Sequence, residues 1–189
     1  MSYDLMVFEP LVPPRDREGF MAWFREQTSW SEGHDYNDPA NTSPGLRAWF
    51  IDMTKGFPAM NGPYASKDYY NNRVSDYSHG RSIIYVAFAW SEAEAAYRTT
   101  FDLAKKHKLG FYDASGDRGE VWMPTATGGY TCAHKSDPAD ASSPEVVWSA
   151  MGLKVIKSSE KDKAAKDYSG NLPKEVLDIF LNIGKKPPD

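Results

Sequence analysis

The stretch 81-RSIIYVAFAW-90 decides how this chain folds. Ile83 to Phe88 run without a charge, a glycine or a proline, and mix β-branched with aromatic side chains. A strand covered on one face alternates apolar with polar residues, whereas an unbroken apolar run indicates cover on both faces. Arg81–Trp90 is therefore expected to be a central strand. Ser91-Glu92-Ala93-Glu94 follows at once and matches the S-x-x-E capping box, so the chain should pass from this strand straight into a helix.

That helix is expected over Glu92–His107. Ala93, Ala96, Tyr97, Phe101 and Ala104 share one face, and the alanines permit close approach to a sheet. Lys105, Lys106 and His107 fall in the last turn, where positive charge suits the helix dipole. Leu109–Ala114 (LGFYDA) reads as the next strand, making 81–114 one βαβ unit with parallel strands and a right-handed crossover. Ser115–Gly119 is turn chemistry, and Glu120–Met123 is the return strand of a hairpin.

Upstream, Ser2–Phe8 carries only one clearly polar side chain, Asp4, and reads as a mostly buried strand. Pro10, Pro13 and Pro14 end it and lead into a helix over Arg15–Gln27. Thr28–Pro39 is a polar and aromatic loop. Ser43-Pro44 is a helix start, with serine as N-cap and proline in the first position. Leu46, Trp49, Phe50 and Met53 then follow the i, i+3, i+4, i+7 pattern of an amphipathic helix over Ser43–Lys55. Residues 57–80 form a long connection holding four tyrosines, more rings than a mere linker needs.

Past Pro124 the composition changes. Thr125–Ser143 is rich in Gly, Ser, Thr and Asp and reads as a surface excursion. Val146–Trp148 suits either a short helix or a strand, 158–167 is a solvated charged stretch, and Asn171–Ile183 is a final helix. The fold expected is α/β (α+β): one mixed sheet with a right-handed βαβ unit at 81–114, covered by helices. Residues 1–124 form the core domain, and 125–189 a peripheral helical extension held through Trp148, Leu177, Phe180 and Leu181.

The chain has 189 residues, 26 acidic against 22 basic, for a net charge of −4. Nucleic acid and anionic membranes call for a basic footprint, so neither is the expected partner. Cys132 is the sole cysteine, which rules out an intramolecular disulfide and a zinc site built on several thiolates. Neither a signal-like N-terminus nor a stretch of membrane-spanning length is seen, and a cytoplasmic protein is expected.

No catalytic motif stands out. The nucleophile elbow and both Gly-rich phosphate fingerprints are missing. Cys132 and His134 are too close in sequence to make a convincing nucleophile–base pair. His34, Asp35 and Asp38 offer ligand types from one loop, yet Asn/Asp–Pro sequences commonly cap turns. Neither a metal nor a cofactor is expected, and no catalytic residue is assigned.

What remains is a set of acids beside aromatics. Trp30, Asp35, Tyr36 and Asp38 lie in the first loop. Asp76 and Tyr77 precede the central strand, Trp90 ends it, and Asp113, Asp117 and Glu120 flank the hairpin turn. Trp90 and Asp113 mark the C-terminal ends of the two βαβ strands, where ligands of such sheets gather. Asp76 and Tyr77, preceding their strand, are expected at the opposite end. Ordinary turn capping and solubility would account for many of these acids.

The phrases YDLMVFEP, HDYNDP, FPAMNGP, Phe88-Ala89-Trp90 and LGFYDASGDRGEVWMP resemble a family of small uncharacterised bacterial proteins over about residues 2–124. That resemblance implies no activity or site residue. In general character the chain is also similar to immunity proteins that neutralise secreted bacterial toxins. Two functions are open. One is a non-enzymatic module binding a protein, for which a basic partner suits the acidic, aromatic surface. The other is a small-molecule binder or acid–base enzyme with a cleft walled by Trp30, Tyr36, Trp90, Asp35, Asp38 and Asp113.

Overall fold

The structure is a computed structural model and describes residues 2–68, 70–136, 146–149 and 152–155. By its internal contacts the chain divides into units 1–137 and 138–189. In the first unit, six strands form one sheet in the order β2-β3-β1-β4-β5-β6. They are β1 (Ser2–Phe8), β2 (Asp76–His79), β3 (Ile83–Ala89), β4 (Gly110–Asp113), β5 (Val121–Pro124) and β6 (Tyr130–His134). Every pairing within it is antiparallel. This corrects the expected mixed sheet. β3 and β4 do point the same way, but β1 lies between them and runs against both.

β3 is interior, paired with β2 on one side and β1 on the other, and it is covered on both faces. Ile84, Val86 and Phe88 join Tyr3, Leu5 and Val7 of β1 in one apolar cluster. Ile83 joins Met6 and Phe8 in a second, with Tyr85 packed against it. The unbroken apolar run follows from this two-sided burial, each fully buried Ile, Val or Phe contributing about 1.5–3 kcal/mol.

Three helices supply the cover. Helix α1 (Arg17–Gln27) sets Phe20 and Trp23 on the second cluster, and its N-cap Asp16 accepts from the Gly19 amide. Helix α2 (Pro44–Met53) starts as its sequence indicates, with the Ser43 hydroxyl accepting from Leu46 N–H and Pro44 in the first turn. Leu46, Trp49, Phe50 and Met53 are all buried in the first cluster. Helix α3 (Ala93–His107) covers the same face through Ala96 and Ala104. Its expected capping box does not form. A 3-10 turn over Trp90–Glu92 intervenes, the N-cap becomes Glu92 without a side-chain cap, and Glu94 pairs with Arg98 at 2.7 Å instead.

In the first unit, two strands were not foreseen. β2 lies inside the long connection, where Tyr77 and His79 alternate inward against Asp76 and Ser78. β6 lies in the segment read as a surface excursion, and extends the sheet beyond Pro124. In the second unit, β7 (Val146–Ser149) and β8 (Gly152–Val155) pair as an antiparallel hairpin, resolving the helix-or-strand ambiguity at Val146–Trp148. The charged stretch 158–167, the final helix expected over 171–183 and the packing expected of Trp148, Leu177, Phe180 and Leu181 lie outside the described residues and side chains.

Candidate functional site

Antiparallel pairing gathers the acids of the sheet. β2 and β3 form a hairpin-like pair in which Asp76 stands opposite Ala87, and Ala87 stands opposite Asp4 of β1. Asp113 stands opposite Leu5 on the other side of β1. Asp76 therefore lies at the same end of the sheet as Trp90 and Asp113. This corrects its expected place at the opposite end, which assumed that strand starts and strand ends separate as they do in parallel sheets.

At this end, on the face that carries α3, Tyr3 links the two residues marked from sequence. Its ring meets the Trp90 indole edge-on, centroids 5.3 Å apart, and its hydroxyl donates to Asp113 Oδ1 at 3.4 Å. Trp90 is 53% exposed while Tyr3 is 9% exposed, so a buried ring holds a solvent-facing one. The Asp113 carboxyl is half-buried, and burial pushes its pKa above the usual carboxylate range, with the charge of Glu120 adding to the rise. The Gly116 amide and the Tyr3 hydroxyl partly offset this, while the Ser115 amide donates to the Asp4 carbonyl at 3.2 Å. Gly116 packs so closely that a Cβ there would collide with the Asp113 carboxyl.

The neighbours of Asp113 are phenols and a second acid. Burial and then the Asp113 charge raise the Tyr3 and Tyr97 hydroxyls, and Glu120 adds to the rise at Tyr97. Glu120 accepts from the Trp122 indole N–H at 3.1 Å and lies 4.0 Å from Lys135. Asp113 itself has no ion pair among the described residues. Asp117, in the turn between β4 and β5, is exposed.

The remaining marked residues go elsewhere. Trp30 packs on the opposite face of the sheet, against Tyr85 and Tyr36 at centroid distances of 6.3 and 5.0 Å. Asp35 accepts from the backbone and side chain of Asn37, and Asp38 caps the 3-10 turn Pro39–Asn41 through the Ala40 amide. Both carboxylates thus cap turns of their own loop. Tyr77 is 2% exposed and donates to the Phe57 carbonyl at 2.6 Å, a core position with nothing to offer a partner. The cleft expected between Trp30, Tyr36, Trp90 and the acids Asp35, Asp38 and Asp113 does not form, because its walls stand on two faces of one sheet.

Sequence reasoning passed over Tyr3, Tyr97 and Asp4. Asp4 carries a buried Oδ1 without a hydrogen-bond partner among the described residues, and its charge adds to the burial that raises the Tyr85 hydroxyl. The signal for Tyr3 was its place in the Tyr3-Leu5-Val7 alternation, which puts its ring on the α3 face. Among the described residues, no group of three or more His, Cys, Asp or Glu side chains is placed to hold a metal ion. No described helix is long and apolar enough to cross a membrane. Two open depressions are lined by Ser91, Glu92, Glu94, Ala95 and Arg98, and by Pro44, Arg47, Ala48, Ile51, Asp52 and His107; neither includes a marked acid.

No protein-family model, curated protein or solved structure matches this chain.

Proposed function

We propose that this protein is a non-enzymatic, cytoplasmic protein-binding module that engages a basic partner through the acidic, aromatic end of its sheet, in the manner of an immunity protein that neutralises a toxin. One observation carries the reading: the exposed Trp90 indole is held by Tyr3, whose hydroxyl donates to Asp113, at the end that also bears Asp117 and Glu120. Exposed aromatic anchors ringed by charge are how protein interfaces concentrate affinity, and the carboxylates steer a cationic partner towards them. We take the β3–α3–β4 crossover to be right-handed, as such connections are. The phrases that resemble small bacterial proteins, and the likeness of character to immunity proteins, fit the same reading.

Affinity capture from the host lysate at low salt tests it, comparing the parent with Trp90→Ala and Asp117→Lys. The reading expects a protein held by the parent, weakened by either substitution and released as salt screens the charges. Capture that ignores both substitutions, or no captured protein, contradicts it.

The second reading, a small-molecule binder or acid–base enzyme, draws on the raised pKa of Asp113 beside Glu120. A carboxyl whose pKa burial raises, with a second carboxyl close by, is the equipment of acid–base chemistry. A metabolite that protects the backbone amides of 113–120 from exchange, without any protein partner, would favour it.

A further inference from the structure

Asp113 is an anion held half out of water, with phenols and another carboxylate for company and no cation paired to it among the described residues. Desolvation disfavours its charge, and the donors around it are the Gly116 amide and the Tyr3 phenol. Buried Tyr3, whose hydroxyl donates to Asp113, meets on its ring the Trp90 indole, which is open to solvent. The two features are independent, since the carboxylate belongs to the end of β4 and the indole to the end of β3. They meet only because β1 carries Tyr3 between them.

We propose that this corner receives one cationic side chain of the partner, a lysine ammonium or an arginine guanidinium, lying on the Trp90 indole with its charge against Asp113. The inference rests on the protein-binding reading and deepens it by naming the group that is bound. Three considerations favour a cation. The negative π face of an indole attracts one, more strongly than phenol or benzene does. A desolvated carboxylate gains more from an opposite charge than an exposed carboxylate, because the local dielectric is lower. Glu120 nearby also makes the corner repel an anionic ligand. An apolar anchor would be served by Trp90 alone and would leave Asp113 uncompensated.

The partner's cation thus removes a penalty that the free protein carries. Asp113→Asn should then weaken binding while leaving the fold intact, since the amide keeps the shape of the carboxyl and an acceptor for the Gly116 amide and the Tyr3 hydroxyl. Trp90→Leu should weaken it as well, as leucine keeps the apolar surface but loses the π face.

The test is an NMR titration of the full chain with three capped amino acids: N-acetyl-lysine methylamide, its arginine counterpart and the uncharged norleucine counterpart. The lysine and arginine probes should shift the Trp90 indole N–H and the backbone amides of 113–116 saturably. Asp113→Asn should weaken that binding by about fivefold to tenfold, and norleucine should leave the signals in place. Equal shifts from norleucine, or binding unchanged in Asp113→Asn, would overturn the proposal. The two readings fail separately. Capture of a protein partner that needs Trp90 but ignores Asp113→Asn leaves the binding module and removes the cation site. Saturable lysine binding without any captured protein leaves the cation site and removes the protein-binding module.

Discussion

The Tyr3 hydroxyl donates to the Asp113 carboxylate across the β1–β4 pair, while the ring of the same tyrosine supports the exposed Trp90. A single residue of β1 thus ties the end of β3 to the end of β4. The arrangement has a stability cost, because burial raises the Asp113 pKa.

The sign of that cost follows from linkage. An unfolded aspartate ionises near the ordinary value of about 3.9, whereas folded Asp113 holds its proton to higher pH. The folded state therefore binds more proton between the two pKa values. Stability falls as pH rises through that window, and the loss is complete above the folded value. Asp113→Asn mimics the protonated side chain, so at pH 7 it should melt at the parent's temperature or a few degrees higher. The gap should close near pH 3. A variant several degrees less stable at pH 7 would show that the carboxylate is held for stability.

Phe8 and Gly110 stand opposite each other between β1 and β4, and the Phe8 ring lies where a Cβ on residue 110 would project. Phe8 is fully buried against Phe20 and Trp23, so its ring has little room to retreat. Gly110→Ala should destabilise the protein by about 1–3 kcal/mol, the usual cost of overpacking a filled core. Chemical denaturation measures it, and an unchanged midpoint would mean that the ring moves freely.

His79 gives the fold a pH dependence of the opposite sense. It is 1% exposed, caged by Phe50 and Tyr77; its Nδ1–H donates to the Tyr36 carbonyl, and its Nε2 has no partner among the described residues. Burial lowers its pKa, against the opposing pull of that carbonyl and of Asp38 and Asp35. Unfolded histidine takes up a proton near pH 6.5 while folded His79 resists, so stability falls as pH drops below 6.5 towards the folded value. His79→Gln should flatten the slope of stability against pH between 7 and 5. Part of it should remain, because burial shifts His134 in the same direction. A slope equal to the parent's would show that the imidazole takes up its proton in the fold as it does in the unfolded chain.

Ala87 lies between two acids, opposite Asp76 on β2 and Asp4 on β1. Charges facing each other across strands count when they are this close. Ala87→Lys should be more stable than Ala87→Glu by about 1 kcal/mol, with high salt narrowing the difference. Equal stabilities would place the Asp4 and Asp76 side chains out of reach of residue 87.

Burial was the most legible feature of this chain. The apolar run of β3, the Ser43-Pro44 start of α2 and the inward stripe of α2 all carry local signals, and all appear in the fold. Strand pairing was not legible, because it depends on which strand enters the gap between β3 and β4. That choice belongs to β1, some 75 residues upstream, while the antiparallel pairing of the unforeseen β2 with β3 brings Asp76 to the end that Trp90 occupies. β2 escaped notice because Asp76-Tyr77-Ser78-His79 buries a histidine, which reads as polar in sequence. β6 follows Gly128-Gly129, a hairpin turn signal hidden in a Gly/Thr-rich segment. For the site, exposure separated the marked residues: Trp90 faces solvent, Tyr77 is core, and Asp35 and Asp38 cap their own loop.

Site-specific photocrosslinking tests the central claim most directly. A benzophenone amino acid at position 90 is compared with one at position 11, where Leu11 is 86% exposed beyond the opposite end of β1. In host lysate at low salt, position 90 should crosslink to a protein partner at a segment containing lysine or arginine, and position 11 should not. Crosslinking equal at the two positions, or only at position 11, would contradict the account.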